Sequence, residues 1–394
     1  MRKIIFLGYV VPPDCGADMS GISVAGNKMQ WNVIKHLSEF KDFDIDCITI
    51  TPKAVFPKDK AIRQKREETE LLPGVSQVRV SYWNLPIIKQ LSQIRSMYRE
   101  AKKVAKKNPD AIVLCFNLFP QVGVPMRKLQ KKFPNLKTVC LLADLPIDDN
   151  TKRKGFSKLL RKRFDKSTWK SMSLCQKYIV LNEYVAKTYL KGQEYIVVDG
   201  GIDETQITPY AKREKKEKNM LFCGALTEYN GVLTIMKAME YIQDQSVVLD
   251  IYGGGYLQDE IAKIAKENNR IRFHGRIPND EVMKKQREAW LLVNPRPVDD
   301  LIAKVTFPSK TFEYLLSGTP VLTTRLNGYG REYQDKMFFA ENDTAQGLGE
   351  AAQKIANISQ QALDDMTERA YEFITTERTW RAQAKRINDF LKKA

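Results

Sequence analysis

Hydrophobic and polar positions follow two rhythms along the chain. Short apolar runs at Lys3–Val11, Asp44–Thr51, Val75–Tyr82, Ala111–Asn117, Lys137–Ala143, Lys177–Asn182 and Tyr195–Val198 have the length and continuity of buried strands. Between them, apolar residues three and four apart predict helices over Val24–Phe40, Lys89–Lys107 and Lys152–Met172. The second half repeats the theme with strands at Met220–Gly224, Val247–Tyr252, Ile271–Phe273, Trp290–Asn294 and Pro320–Thr324. Its helices are predicted near Gly231–Tyr241, Tyr256–Asn268, Thr311–Leu316 and Ala345–Ile358. Such alternation predicts an α/β protein with parallel sheets in two doubly wound domains in tandem.

The length of 394 residues suits two domains of about 150–200 residues each. Thr205–Lys218, polar and dense in charge, reads as a linker, so residues 1–203 and 204–377 are the expected domains. The last segment, 378–394, is expected to be a helix that crosses back to the first domain. No apolar run approaches the ~20 residues needed to span a bilayer. The run Ile4–Val11 stops at Pro12-Pro13-Asp14 without a small-residue cleavage site and reads as a first strand rather than a signal peptide.

Six scattered cysteines with no C-x-x-C pair read as core thiols in a reducing cytoplasm. Only His36 and His274 are present, so no His/Cys metal site is expected, and His274 reads as structural. Asp42-Phe43-Asp44 has D-x-D spacing, but it flanks a strand start, and no metal role is assigned to it.

Charge changes this picture. Residues 1–200 hold 36 Lys+Arg against 19 Asp+Glu, whereas residues 201–394 hold 28 of each, so the formal +17 sits in the first half. Lys152–Lys170 carries nine basic residues and one acid. Phe156, Leu159, Leu160 and Phe164 fall within it at helical spacing. An apolar stripe flanked by Arg161, Lys162 and Arg163 fits an anionic membrane surface. Basic patches attract any polyanion, but no zinc-finger, helix-turn-helix or RNA-binding signature accompanies this one, so nucleic acid is not an expected partner.

The most informative stretch is Phe307-Pro308-Ser309-Lys310-Thr311-Phe312-Glu313. Pro308 forces an extended entry, and Ser309 is a good N-cap residue for the helix that follows. A helix start offers N–H groups to a phosphate, with the Lys310 charge and Thr311 hydroxyl beside it. Glu313 lies one turn in, within reach of a ribose hydroxyl, and Gly318 ends the helix. Near the N-terminus, the loop Gly16–Gly26 follows the first strand and opens a helix at about Ala25. A glycine-containing turn there lets backbone approach a ligand.

With these pieces in place, the chain resembles retaining GT-B glycosyltransferases, in particular glycosyltransferase family 4 members that build bacterial capsule, exopolysaccharide and cell-wall glycans. The stretch around Lys310 resembles the donor-binding segment of that family, followed by Gly328 and Glu332. Phe222-Cys223-Gly224, Gly200-Gly201-Ile202-Asp203, Asp250-Ile251-Tyr252-Gly253-Gly254-Gly255 and Phe273-His274-Gly275-Arg276-Ile277 also match. The resemblance is strong in the second domain and weak in the first. It implies donor contacts at Gly21, Ser23, Gly224, Gly254, Gly275, Arg276, Ser309, Thr311 and Glu313, and catalytic roles for Lys310, Arg296 and Asp144.

Departures from the pattern are specific. The first of the family's two glutamates falls on Val305, with Glu313 as the second. The cations that hold the diphosphate are replaced at Ala225 and Asn230, leaving Lys310 with Arg296 to supply the charge and Lys304 as a lesser candidate. A family histidine falls near Ala143, with Asp144 beside it.

The resemblance implies a cytoplasmic, metal-independent hexosyltransferase on the inner face of the cell membrane, with no cofactor. Its substrates are a nucleotide-diphosphate sugar, UDP-linked by preference, and a lipid-linked or oligosaccharide acceptor. The alternatives are a non-catalytic membrane partner subunit, favoured by Val305, Ala225 and Asn230, or a sugar-nucleotide epimerase or hydrolase, which the shortage of histidine disfavours.

Overall fold

In the first half of the chain the strands are β1 (Arg2–Gly8), β2 (Phe43–Thr49), β3 (Arg63–Gln64), β4 (Glu67–Leu72), β5 (Val75–Arg79), β6 (Tyr82–Trp83), β7 (Ile112–Phe116), β8 (Lys137–Leu142), β9 (Lys177–Val180) and β10 (Glu194–Val197). Helices α1 (Val24–Glu39), α2 (Ile88–Lys107), α3 (Pro120–Lys132), α4 (Phe156–Leu174) and α5 (Glu183–Tyr189) lie between them. This computed structural model describes residues 1–13, 21, 23–147, 156–212 and 217–394. Gly16 of the glycine-containing loop, Cys15, residues 152–155 of the basic run, the side chain of Phe156 and residues 213–216 of the expected linker lie outside the described residues.

One eight-stranded sheet runs in the order β10-β9-β8-β7-β1-β2-β5-β4. Its neighbours are parallel except β4 and β5. The antiparallel edge departs from the expected parallel sheet because Glu67–Glu70 are all exposed and offer no apolar run to read. The short strands β3 and β6 form a separate antiparallel pair.

The second half supplies β11 (Asn219–Ala225), β12 (Val248–Gly254), β13 (Ile271–Gly275), β14 (Leu291–Asn294), β15 (Val321–Thr323) and β16 (Phe338–Phe339). They form a parallel sheet in the order β13-β12-β11-β14-β15-β16. Helices α6 (Val232–Ala238), α7 (Gln258–Glu267), α8 (Asn279–Glu288), α9 (Leu301–Val305), α10 (Lys310–Leu316), α11 (Ala345–Ala356), α12 (Gln360–Glu377) and α13 (Trp380–Lys392) complete the chain.

The chain divides into two compact units, 1–181 with 185–198 and 380–394, and 182–184 with 199–379. Ile4, Phe6, Ile112, Leu114, Val139 and Ile179 form the core of the first. Trp380, Ile387, Phe390 and Leu391 of α13 pack into that same core, so the C-terminal helix is part of the first unit. In the second, Met220, Phe222, Leu249, Ile251, Leu291 and Leu322 meet Leu348 and Ala352 of α11.

The first crossing falls at Val198–Asp199 rather than after residue 203. Nor is 205–212 a free linker. The Tyr210 hydroxyl bonds Thr367 Oγ1 at 2.8 Å, and Tyr371 donates to the Thr208 carbonyl at 2.5 Å, tying the segment to α12. Arg378 and Thr379 also stay in the second unit. The buried Arg378 guanidinium meets the Asp199 carboxylate at 3.2 Å and Glu332 at 3.0 Å. Tyr333 donates to the same Asp199 oxygen at 2.5 Å.

Chain order reverses at one place in each sheet. β1 lies between β2 and β7, and β11 between β12 and β14. Crossovers leave such a reversal from opposite faces, which opens a crevice at the strand C-termini.

Candidate functional site

In the second unit the reversal lies where β11 ends at Phe222-Cys223-Gly224-Ala225 and β14 at Asn294. The backbone there is held open by glycines with little tolerance for a side chain. A Cβ on Gly253 (φ 139°) would stand 1.8 Å from the Gly224 carbonyl oxygen, and one on Gly231 (φ 70°) 1.8 Å from the Pro295 oxygen. Asn230 secures the turn after β11 by donating to the Ala225 carbonyl at 2.8 Å. Where the family pattern carries a cation, this chain has an amide committed to its own loop.

The charge comes instead from α10. Lys310 Nζ donates to the Cys223 carbonyl at 2.5 Å, and a Cβ on Gly224 would come within 2.2 Å of that nitrogen. Gly224 is therefore the residue that makes room for the Lys310 ammonium. Burial pushes the Lys310 pKa below the ordinary lysine range, Arg296 repels in the same direction, and Glu313 opposes. A half-buried cation with a second cation near it is stabilised by an arriving anion. Arg296 is oriented by Tyr229, whose ring lies 4.8 Å below the guanidinium and whose hydroxyl accepts from Nη1 at 3.1 Å. Tyr229 was not legible as a site residue, since nothing in sequence links it to a residue 67 positions later.

Two expected roles change at the start of α10. Ser309 has helical backbone angles (φ −54°, ψ −26°) and makes no side-chain capping bond, so it is not the N-cap predicted for it. The N–H of Thr311 bonds Pro308 O at 2.9 Å and that of Phe312 bonds Ser309 O, so neither is free for a phosphate. The Thr311 side chain is buried, and its hydroxyl pairs with Tyr329 at 2.9 Å. Tyr329 in turn accepts from Asn294 Nδ2 at 2.9 Å. Thr311 thus braces α10 against the end of β14 rather than facing a ligand. Glu313 is half-buried one turn after Lys310. Lys304 is paired with Asp299 at 3.0 Å.

Arg276 follows β13 directly, and its side chain lies across Gly254 at the end of β12 so closely that a Cβ there would meet Nε at 2.2 Å. Gly275 takes φ 72° with nothing within 4 Å of its missing Cβ. His274 bonds Asp250 at 2.7 Å and stacks on Tyr252 with ring centroids 4.4 Å apart.

In the first unit, the reversal between β1 and β7 holds a cavity of about 240 Å³. Tyr9, Asn27, Gln30, Phe116, Asn117 and Asp144 are among its walls. The chain after β1 is clamped to α1, since Gln30 accepts from Tyr9 N at 2.8 Å and Asn27 both accepts from and donates to Val11 at 3.0 Å. Asn117, buried and at φ 54°, organises the far wall. Its Oδ1 accepts from the Ala143 and Asp144 backbone N–H groups at 2.8 and 2.9 Å, and its Nδ2 donates to the Asp144 carboxylate at 3.1 Å. Asp144 keeps solvent contact at the rim, yet its neighbours strip enough water to raise its pKa above the usual aspartate range, with the Asn117 amide opposing.

Gly21 lines the same cavity, but a Cβ there would meet the Lys53 backbone at 3.2 Å, so its close approach is to its own chain. Ser23 caps α1, which starts at Val24, by accepting from the Gly26 N–H at 3.2 Å. The carboxylates of the D-x-D segment are paired, Asp42 with Lys392 and Asp44 with Lys3, each at 2.7 Å. Of the helix predicted over Lys152–Met172, the described part is α4, Phe156–Leu174, and its stripe is only partly open. Phe164 packs on Phe119 at 5.8 Å, and Arg161 is paired with Asp165 at 3.0 Å and lies over the Phe164 ring. Leu159, Leu160, Lys162 and Arg163 remain exposed.

Residues 217–357 match the family model described as Glycosyl transferases group 1. Among curated protein sequences none matches the chain. Similar solved structures include sucrose-phosphate synthase from Thermosynechococcus elongatus, 17% identical with a TM-score of 0.67, covering 100% of this chain and 99% of that one. Anabaena HepE in complex with UDP is 13% identical with a TM-score of 0.65 and full coverage of both chains (100% each). WaaG, a glycosyltransferase involved in lipopolysaccharide biosynthesis, is 16% identical with a TM-score of 0.59 over 99% of this chain and 100% of that one. These likenesses show a GT-B fold of two Rossmann-like domains, and together with the group 1 match they support a glycosyltransferase.

Proposed function

We propose that the protein is a retaining glycosyltransferase that moves a sugar from a nucleotide-diphosphate donor to a hydroxyl of a lipid-linked or oligosaccharide acceptor in surface-polysaccharide assembly. One observation carries the reading. Lys310 is held over Gly224, with Arg296 beside it, at the crevice of a doubly wound sheet. A half-buried cation at that position meets the need of the reaction, because negative charge grows on the departing diphosphate in the transition state.

In this reading the acceptor oxygen bonds to the anomeric carbon on the face that the phosphate leaves, and the carbon–phosphate oxygen bond breaks. The acceptor proton passes to a phosphate oxygen, giving the free nucleoside diphosphate. Lys310 and Arg296 stabilise that leaving group and Glu313 accepts from the ribose, while Asp144 with Asn117 is read as binding hydroxyls in the first unit's own cavity. A uridine donor is favoured by the relatives solved with UDP, among them HepE with UDP and glucose and a TarM variant from S. aureus with UDP. The polysaccharide assignment is supported by WaaG, involved in lipopolysaccharide biosynthesis. Among the described residues no helix is long and apolar enough to cross a membrane. Docking of the first unit on the cytoplasmic face of the membrane, through Leu159, Leu160, Lys162 and Arg163 of α4, belongs to the same proposal.

A thermal-shift screen of UDP- and GDP-sugars, followed by turnover on the hits, tests it. A ligand at about 100 times its Kd adds ~2.7 kcal/mol of stability. Binding with sugar transfer to the acceptor supports the reading, whereas sugar release to water alone favours the hydrolase alternative. Binding without turnover over lipid and oligosaccharide acceptors favours the silent-partner alternative, for which Ala225 and Asn230 speak.

A further inference from the structure

The structure assigns a second basic and apolar surface to the first unit, built from the β3–β6 pair and the start of α2, and we propose that it inserts into the interface of an anionic bilayer. Phe56, Ile62, Trp83, Ile87, Ile88 and Leu91 are exposed here, Leu91 at 64% and Ile87 at 59%. The site goes beyond the transfer reaction and rests on the reading above only in taking a membrane as partner.

These residues come from two chain segments that backbone bonds knit into one knot. Arg63 pairs with Trp83 across β3 and β6. The Phe56 N–H bonds Asn84 O at 3.1 Å, and the Asn84 N–H bonds Ile62 O at 2.7 Å. The buried Asn84 amide then donates to the Ala54 and Ala61 carbonyls at 2.9 and 3.0 Å. On the other side, Lys89 Nζ bonds Lys53 O at 2.5 Å and Ser92 accepts from the Trp83 N–H at 3.1 Å. The patch is therefore a fixed surface rather than a loose loop tip. Ile87 takes φ 65°, costly for a β-branched side chain, directly before α2. Backbone strain spent on presenting an aliphatic side chain outward points to a use for it there.

Charge selects the occupant. From 52 to 66 the chain carries six Lys and Arg against the single acid Asp59. Lys58, Lys60, Arg63 and Lys65 are exposed, and Arg63 lies 5.1 Å over the Trp83 ring. Lysine is depleted in protein–protein interfaces. An apolar centre with tryptophan, bordered by Lys58, Lys60, Arg63 and Lys65 with the acids Asp59, Glu67 and Glu68 in the minority, is a composition that seats in anionic lipid headgroups. The fold puts none of these cations in the β1/β7 cavity, so they are free for phosphates outside it.

The test uses the full chain with vesicles of phosphatidylglycerol and phosphatidylcholine, against phosphatidylcholine alone. Ile88→Ser with Leu91→Ser is expected to lower partitioning at least about tenfold at both low and high salt, because two aliphatic side chains no longer leave water. Lys58→Gln with Lys60→Gln weakens it at low salt only. Lys162→Gln with Arg163→Gln reads the contribution of α4 separately. Trp83→Phe keeps the ring and removes the probe, so quenching by brominated lipid in wild type must fall in that variant even if the Ser pair folds poorly. Undiminished vesicle binding by the Ser-pair variant, or burial of the patch in a dimer seen by sedimentation of the free protein, overturns the assignment. Nucleotide-diphosphate binding measured on the same samples keeps the two readings apart, since its absence defeats the donor site and leaves the vesicle result intact.

Discussion

At the end of β11 the chain presents an ammonium and a guanidinium; at the end of β7 it presents amides, hydroxyls and one carboxyl. The two crevices occupy the same place in two sheets wound the same way. Their chemistry is also the reverse of the charge around them. The first half of the chain carries the whole excess of 36 basic over 19 acidic residues, yet the described walls of its cavity include neither Lys nor Arg. The second half balances 28 against 28 and still concentrates two cations at its crevice. Net charge therefore says little about which crevice gathers cations. What matters is a cation held in a partly dry place, as Lys310 is over Gly224. The excess basic charge of the first unit lies on its outer surface, where it acts on large anionic partners.

The comparison predicts that one substitution on each side fails differently. Lys310→Ala should reduce turnover by about a hundredfold to a thousandfold, the usual cost of ~3–4 kcal/mol for losing one transition-state stabiliser, while the melting temperature holds. Turnover near the wild-type rate would place the charge elsewhere. On the first unit, Asn117→Ala should act on stability first. Two part-buried N–H groups lose their acceptor, which together costs about 1–3 kcal/mol, and alanine tolerates the left-handed angle less well. Denaturant unfolding measures it, and an unchanged midpoint would remove Asn117 from the account. Asn117→Asp sharpens the point by keeping the acceptor and adding a charge beside Asp144, which should raise the Asp144 pKa further and move the acidic limb of the rate profile to higher pH.

A smaller effect is expected at Glu313→Gln. Losing a charged acceptor for a ribose hydroxyl should weaken nucleoside-diphosphate affinity by about tenfold, since hydrogen bonds to charged groups contribute ~1.5–3 kcal/mol. Calorimetric titration decides this, and equal affinities would leave Glu313 a structural role. The smallest effect concerns pH. Burial lowers the Lys310 pKa, so its charge is lost at lower pH than that of a surface lysine. Affinity for the diphosphate should therefore fall as pH rises through that lowered value. Binding should also take up protons on the alkaline side, because the anion favours the charged amine. Titrations in buffers of different ionisation heat detect that uptake.

The sheets were legible in the sequence because strands such as β7, buried at every position, are unbroken apolar runs. α3 was not, since Pro120 and Pro125 read as breakers, although Pro120 occupies the first turn where no N–H is needed. α12 was hidden by its acids, and β4 by its exposed glutamates. At the site, Lys310, Gly224 and Arg296 could be picked out because resemblance supplied their spacing. Asn117 and Tyr229 could not, since each matters through a neighbour brought to it by the strand order. The patch at Ile87, Ile88 and Leu91 was invisible for a related reason. An apolar helix start looks the same in sequence whether it packs on a sheet or faces outward.

The central claim is that the crevice at β11 holds the phosphates of the donor, and it is tested most directly by calorimetric titration of UDP and of uridine into wild type and Lys310→Ala. Wild type should prefer UDP, and the variant should lose about tenfold to a hundredfold of that preference, as one charged hydrogen bond worth ~1.5–3 kcal/mol is removed, with uridine affinity unchanged. An undiminished preference for UDP in the variant would contradict the account.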